Sequence, residues 1–167
     1  MHDHKRRVEL AEELVAGFHQ FRHVIQAIRS RHAYPDEGAG RPRGEYETEE
    51  QARHRDRYYV PLARWKNNSE FISGQMSKRY RARTLFEADI DQAFQELHEV
   101  LTTIQSAAGT LIGMSDFSDP ARNDDIWEEC EREIGWVQTK EDHLDQKVCQ
   151  AIKTVEAVCR PILEARL

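Results

Sequence analysis

The chain lacks the short motifs that identify common enzyme chemistries. There is no Gly-x-Ser-x-Gly, which excludes the nucleophile elbow of serine hydrolases, and no glycine-rich stretch ending in Lys-Ser or Lys-Thr, which excludes a P-loop. No Glu-x-x-His pair is present either, so the di-iron signature of helical bundles is missing. These absences favour a protein that is not an enzyme and that uses no cofactor.

Metal-binding and disulfide patterns are equally scarce. His19 and His23 stand four residues apart, a spacing that can hold a metal ion on a helix, but the neighbouring apolar positions assign both to the outer face. The three cysteines are an odd number, form no Cys-x-x-Cys pair and do not make a disulfide framework. They are Cys130, Cys149 and Cys159. We expect reduced thiols and no bound metal ion.

Long apolar runs are also absent from the sequence. No stretch approaches the ~20 consecutive apolar residues that span a bilayer. The charged residues 2–7 are not followed by the hydrophobic core of a signal peptide. We therefore expect no membrane span and a cytoplasmic location.

Charge is plentiful and unevenly distributed along the chain. Residues 1–83 carry 17 Lys and Arg against 12 Asp and Glu, a net charge of +5, whereas residues 84–167 carry 7 against 18, a net charge of −11. This asymmetry favours two halves that pack on each other through complementary faces. A basic surface presented to an acidic partner is the alternative.

Four helices are predicted by apolar residues that recur at alternating spacings of three and four. The first covers about residues 4–32, the third runs from Asp89 to Gly113, and both have an unbroken apolar seam. The seam residues are Ala11, Leu14, Phe18, Phe21, Ile25 and Ile28 in the first helix, and Ile90, Phe94, Leu97, Leu101, Ile104, Ala108 and Leu111 in the third.

The second helix is predicted over residues 46–83. It follows a linker at residues 35–45 whose three glycines and two prolines are typical of a mobile loop. Pro61 falls inside the predicted helix, where a proline removes one backbone hydrogen bond and clashes with the preceding turn. We therefore expect the helix to kink or to restart at residues 57–60.

The fourth helix is predicted over residues 124–166 and would be the longest, at about 60 Å. Because the first and third helices span only about 40 Å, its residues Val155, Val158 and Ile162 would overhang them and need cover. The sequence therefore predicts a single domain over residues 1–167. Its expected fold is an all-α, antiparallel up-down-up-down four-helix bundle with long second and fourth helices, paired as a homodimer or with another helical protein.

Glu141 is the one charged residue in the seam of the fourth helix, where a carboxylate must be paired, protonated or solvated. Constant helical rise places it level with His98, Lys66 and Trp65. These four residues define a candidate interior polar site for a small molecule or a metal ion. A polar contact that only fixes the helix register, or a side chain turned to solvent, are the alternatives.

A basic cluster ends the second predicted helix and consists of Lys78, Arg79, Arg81 and Arg83. Its four cations suit the phosphates of nucleic acid or another acidic partner. Cations also stabilise a helix C-terminus, and no nucleic-acid-reading motif is present, so nucleic acid is the weaker alternative. The leading hypothesis is a non-enzymatic bundle that acts through protein contacts, with self-association first. The interior polar site and the phosphate site are the other two hypotheses.

Overall fold

The computed structural model describes residues 2–86, 89–114 and 123–165, and all regular secondary structure within these ranges is α-helical. The all-α prediction is therefore confirmed, but the described ranges contain six helices rather than four. They are α1 (His2–Ile28), α2 (Glu49–Asn67), α3 (Ser69–Leu85), α4 (Asp89–Gly113), α5 (Asp124–Glu133) and α6 (His143–Glu164). None of these six helices is long and apolar enough to cross a membrane.

The apolar seams predicted for the first and third helices are buried in α1 and α4. Every one of their predicted positions is at most 3% exposed. Helix α4 also begins at Asp89 and ends at Gly113, as predicted. Alternating spacings of three and four keep apolar residues on one face over many turns, so this pattern alone locates the buried side of both helices.

The second predicted helix divides at Asn68 rather than at the proline. Helix α2 continues through residues 57–61 with Pro61 buried, so of the two predicted alternatives the restart at residues 57–60 is wrong, and the kink stays a prediction. At Asn68 the backbone N–H donates to the carbonyls of Arg64 and Trp65, and the side-chain amide donates to the Arg64 carbonyl at 2.8 Å. The short asparagine amide competes for carbonyls that a continuing helix would use, and α2 therefore ends here.

The fourth predicted helix is also two helices, α5 and α6, separated by the non-helical residues 134–142. Gly135 has a φ of +84°, outside the right-handed helical region. Asp142 then caps α6, because its carboxylate accepts a hydrogen bond from the backbone N–H of Asp145. At 22 residues α6 is about 33 Å long. The predicted 60 Å helix and its overhang are therefore wrong.

Contacts divide the chain into two compact units, and the prediction of a single domain stays a prediction. Unit 1 consists of Met1–Ile25, Ser69–Val100 and Glu141–Leu167. Here Phe18 of α1 and Phe94 of α4 form an edge-to-face pair with ring centroids 5.1 Å apart. Such a pair adds about 0.5–1.5 kcal/mol to the burial of the rings. Helix α1 also contacts α3, where Glu13 pairs with Arg81 and Phe21 packs on Phe71. On α6 it contacts Glu156 through His19 and Asp145 through Arg22.

Unit 2 consists of Gln26–Asn68 and Leu101–Lys140 and is built around Tyr58. The Tyr58 ring stacks on Trp136, with centroids 5.0 Å apart, and meets Trp127 edge-to-face at 5.2 Å. The Tyr58 hydroxyl and the Trp127 indole N–H both donate to Oε1 of Glu131, at 2.6 and 3.1 Å. These hydrogen bonds satisfy two polar groups inside an aromatic core, which would otherwise be destabilised by unpaired donors.

Arg41 ties the predicted mobile linker to α2 within unit 2. The arginine is only 8% exposed; its Nη2 lies 2.7 Å from Oε2 of Glu47 and its Nε lies 3.0 Å from Oδ1 of Asp56. At Gly38 an added Cβ would lie 1.8 Å from the carbonyl oxygen of Asp56, so only glycine fits this approach. These contacts oppose the mobility predicted for residues 35–45.

Glu47 makes this anchor sensitive to acid. Hydrogen bonds from Arg41 and Arg55 lower the pKa of the Glu47 carboxyl from 4.5 to about 2. Because the folded-state pKa is depressed, the stabilisation is complete above about pH 4.5 and is lost as the pH falls towards 2. We expect the free energy of unfolding to decline more steeply across this window in the parent protein than in Glu47→Gln.

Urea titrations followed by circular dichroism between pH 2.5 and 6 measure this difference. Asp91 has a depressed pKa too, but it is present in both proteins, so the difference between the two curves reports Glu47. Parallel curves for Glu47→Gln and the parent protein would contradict the prediction.

Candidate functional site

The four residues of the predicted interior polar site do not come together in one unit. Glu141 and His98 belong to unit 1, and both are exposed, whereas Lys66 is exposed and Trp65 half-buried in unit 2. Glu141 lies in the connection between α5 and α6, so its assignment to a buried helical seam is wrong. A carboxylate that solvent reaches does not require a buried partner, so the exposed Glu141 does not indicate an interior site.

The histidines predicted on the outer face of the first helix lie on its exposed side. His19 and His23 are both exposed on α1. The three cysteines are free, with Cys159 buried and Cys130 and Cys149 half-buried. Across the ranges that the structure describes, no group of three His, Cys, Asp or Glu side chains is arranged to hold a metal ion.

The cations of the basic cluster each meet a carboxylate of unit 1. Arg79 and Arg83 both place Nε 2.6 Å from Oδ1 of Asp91, and their hydrogen bonds hold the pKa of that carboxyl far below its usual range. Oε2 of Glu13 lies 2.7 Å from Nη2 of Arg81 and 3.7 Å from Nζ of Lys78. A phosphate would have to compete with these two carboxylates, so the cluster is better explained as a set of ion pairs that joins α3 to its neighbours.

The residues predicted for an oligomer interface do not share one environment. Val155 is fully buried within unit 1, so its assignment to a surface between chains is wrong. Val158 and Ile162 are half-buried. Cys159 occupies the buried position expected for Val158, because the α6 seam advances by four residues from Val155, and burial raises the pKa of this thiol to about 11.

A surface groove of about 450 Å³ lies beside these residues in unit 1, and we name it the α1–α6 groove. It is lined by Val15 of α1 and by Glu156, Arg160, Leu163 and Glu164 of α6. Two of the lining residues, Val15 and Leu163, are aliphatic, and the other three are charged. Such a groove can receive one apolar side chain of a partner helix.

A larger cleft of about 850 Å³ lies in unit 2, between residues 29–32 after α1 and residues 135–138 after α5. We name it the unit 2 cleft. Arg64 of α2 holds one wall, because its guanidinium donates to the carbonyls of Ser30 and His32, both at 2.6 Å. Its Nε also lies 2.6 Å from Oε1 of Glu37. One half-buried guanidinium therefore fixes the backbone that carries this wall.

Arg29 holds the opposite wall of the unit 2 cleft. Its Nε donates to the Glu133 carbonyl at 3.0 Å and its Nη2 to the Arg132 carbonyl at 3.1 Å. These carbonyls lie at the C-terminus of α5, where no intrahelical N–H is left to donate to them and where the helix dipole favours a cation. The adjacent Gly135 approaches so closely that an added Cβ would lie 2.7 Å from the Arg29 carbonyl oxygen.

No protein family model matches this chain, and no curated protein and no solved structure is significantly similar to it. The geometry of the groove and of the cleft is therefore the basis for any assignment of function.

Sequence reasoning missed the unit 2 cleft and the arginines that build it. The available signal was Gly135, a glycine inside an otherwise unbroken helical pattern, which often marks a break in the helix. Arg29 and Arg64 had no such signal, because a guanidinium that binds distant backbone carbonyls has no characteristic spacing in the sequence.

Proposed function

We propose that this protein is a non-enzymatic helical module that acts through protein contacts, and that unit 1 binds a second copy of the chain through the α1–α6 groove. The observation that carries the proposal is this groove, which is lined in part by the aliphatic side chains of Val15 and Leu163. Val158 and Ile162 lie within two turns of it on α6 and are incompletely covered. Covering them against a partner helix would remove further apolar surface from water.

The charges around the groove favour a second copy over a different helical partner. Glu156, Arg160 and Glu164 follow one another at intervals of four residues, so they form one row along α6. If two α6 helices pair antiparallel about a two-fold axis that crosses α6 near Val158 or Ile162, Arg160 of one copy lies opposite Glu156 or Glu164 of the other, respectively. The row is thus complementary to itself, as a two-fold interface requires.

We also infer that α1, α3, α4 and α6 of unit 1 form an up-down-up-down four-helix bundle, which is the topology predicted from the sequence. The contacts of α1 with α3 and with α6 support this topology, because later residues of α1 contact earlier residues of both helices. Both pairs are therefore antiparallel. Helices α3 and α4 are neighbours in sequence and share the Arg79–Asp91 ion pair, which suits an antiparallel hairpin.

Leu163→Asp tests the self-association. We expect the parent protein to populate a dimer in light scattering measured over a series of concentrations. The variant should raise the dimer dissociation constant by at least about tenfold, because a charge replaces an apolar anchor on both copies. Gln150→Asp is the matched control, since it adds the same charge to an exposed position of α6 about 20 Å from Leu163. It should keep the parent mass.

A charge reversal tests the antiparallel pairing. Arg160→Glu alone should weaken the dimer, and the double variant Arg160→Glu with Glu164→Arg should restore it if these two residues face each other across the axis. A parent protein that stays monomeric at every concentration would overturn the proposal. Equal dimerisation of Leu163→Asp and the parent protein would also overturn it.

A further inference from the structure

The unit 2 cleft is lined by cations without a carboxylate among them. Its basic residues are Arg29, Arg31 and His32. Arg29 is engaged with the carbonyls of α5. Arg31 and His32 are exposed, and their side chains form no ion pair with any residue that the structure describes. Cations that face a concave surface without counter-charges attract anions into it.

Trp136, which also lines the cleft, contains an unsatisfied buried donor. The residue is only 6% exposed, and its Nε1–H has no acceptor among the described residues. Trp127 of the same aromatic core differs, because its indole donates to Glu131. Buried N–H groups are nearly always paired in native proteins, and leaving one unpaired is destabilising. This nitrogen is itself inaccessible to solvent, so Trp136 serves as a reporter beside the cleft rather than as a ligand contact.

The two walls of the cleft hold these groups in place before any ligand arrives. Arg64 binds the carbonyls of Ser30 and His32, which flank Arg31. Arg29 and the close approach of Gly135 fix the start of the opposite wall, next to Trp136. A pre-ordered backbone lowers the entropy that is lost on binding.

We infer that the unit 2 cleft binds the oxyanion group of a small organic molecule, either a carboxylate or a phosphate. An arginine side chain only donates hydrogen bonds, and a protonated histidine does the same. Arg31 and His32 therefore share one preference, for a group rich in acceptors and negative charge. The volume of about 850 Å³ exceeds what a bare inorganic ion fills and lies within the range of small-molecule sites.

Nuclear magnetic resonance of the ¹⁵N-labelled full chain tests this binding. The chain has three tryptophans, so three indole N–H resonances are expected, and sequential assignment identifies that of Trp136. The probes are inorganic phosphate, glycerol phosphate and citrate, each compared with sodium chloride at the same ionic strength. We expect the Trp136 indole resonance to shift saturably with at least one oxyanion and not with chloride. Tighter binding of glycerol phosphate assigns a phosphate ligand, and tighter binding of citrate a carboxylate.

Exposed side chains provide variants that leave the fold intact. The double variant Arg31→Gln with His32→Gln should weaken oxyanion binding by at least about tenfold, because the guanidinium of Arg31 and the imidazole donor of His32 are both lost. Arg53→Gln is the matched control; it removes an exposed cation of α2 in the same unit, away from the lining of the cleft, and should change the affinity less than twofold. The inference is overturned if no oxyanion shifts the Trp136 resonance saturably, or if the double variant binds as tightly as the control.

Discussion

Replacing Gly135 with alanine is expected to lower the free energy of unfolding by about 3 kcal/mol. Two effects combine at this position. Its φ of +84° is strained for any residue with a Cβ, and the added Cβ would lie 2.7 Å from the carbonyl oxygen of Arg29. Backbone oxygen cannot swing aside as a flexible side chain does, so the connection between α5 and α6 must shift.

Urea unfolding monitored by circular dichroism measures the Gly135→Ala effect. Gly40→Ala is the matched control, because Gly40 also lies outside the helices and an added Cβ there would meet nothing within 4 Å. The control should stay within about 1 kcal/mol of the parent protein. Equal unfolding midpoints for Gly135→Ala and Gly40→Ala would show that the close packing on Arg29 is not required.

Replacing Arg41 with methionine is expected to destabilise the protein by about 3 kcal/mol. Methionine keeps most of the side-chain length but leaves Glu47 and Asp56 without the guanidinium that lies between them. Removing one partner of a buried ion pair costs more than the pair itself contributes, because the remaining charge stays in a poorly solvated place. Residues 35–45 should then detach from α2, which hydrogen exchange of this segment would detect.

Arg43→Met controls for the loss of one positive charge beside the same carboxylate. Arg43 contacts Asp56 at 3.6 Å, but its side chain is 52% exposed. An exposed ion pair contributes less than about 1 kcal/mol, so this variant should unfold close to the parent protein. If Arg43→Met were as destabilising as Arg41→Met, burial would not be the reason for the effect.

The parts of the fold that the sequence predicted well are those governed by periodicity. The seams of α1 and α4 follow one face without interruption, and burial of that face is the dominant favourable term in folding. The breaks at Asn68 and at residues 134–142 were missed for the same reason. Seam spacings of three and four continue across both, with Ser69 and Glu141 as the polar positions, so the spacing does not register a backbone that leaves the helix.

The candidate sites were harder to predict, because they depend on contacts between residues distant in sequence. The unpaired indole of Trp136 is visible only once its surroundings are known. Glu141 was predicted to lie in a buried helical seam because its neighbours are apolar at helical spacing, yet it lies in the non-helical connection between α5 and α6. The basic cluster was visible in the sequence, but its partners Glu13 and Asp91 were not.

The distribution of aromatic residues makes the two units optically distinct. All three tryptophans, Trp65, Trp127 and Trp136, belong to unit 2, and unit 1 contains none. Intrinsic fluorescence excited at long wavelength therefore reads the melting of unit 2 alone, whereas ellipticity reads both units. Superimposable curves from the two signals mean that the units melt as one cooperative block, and separated curves mean that each has its own transition temperature.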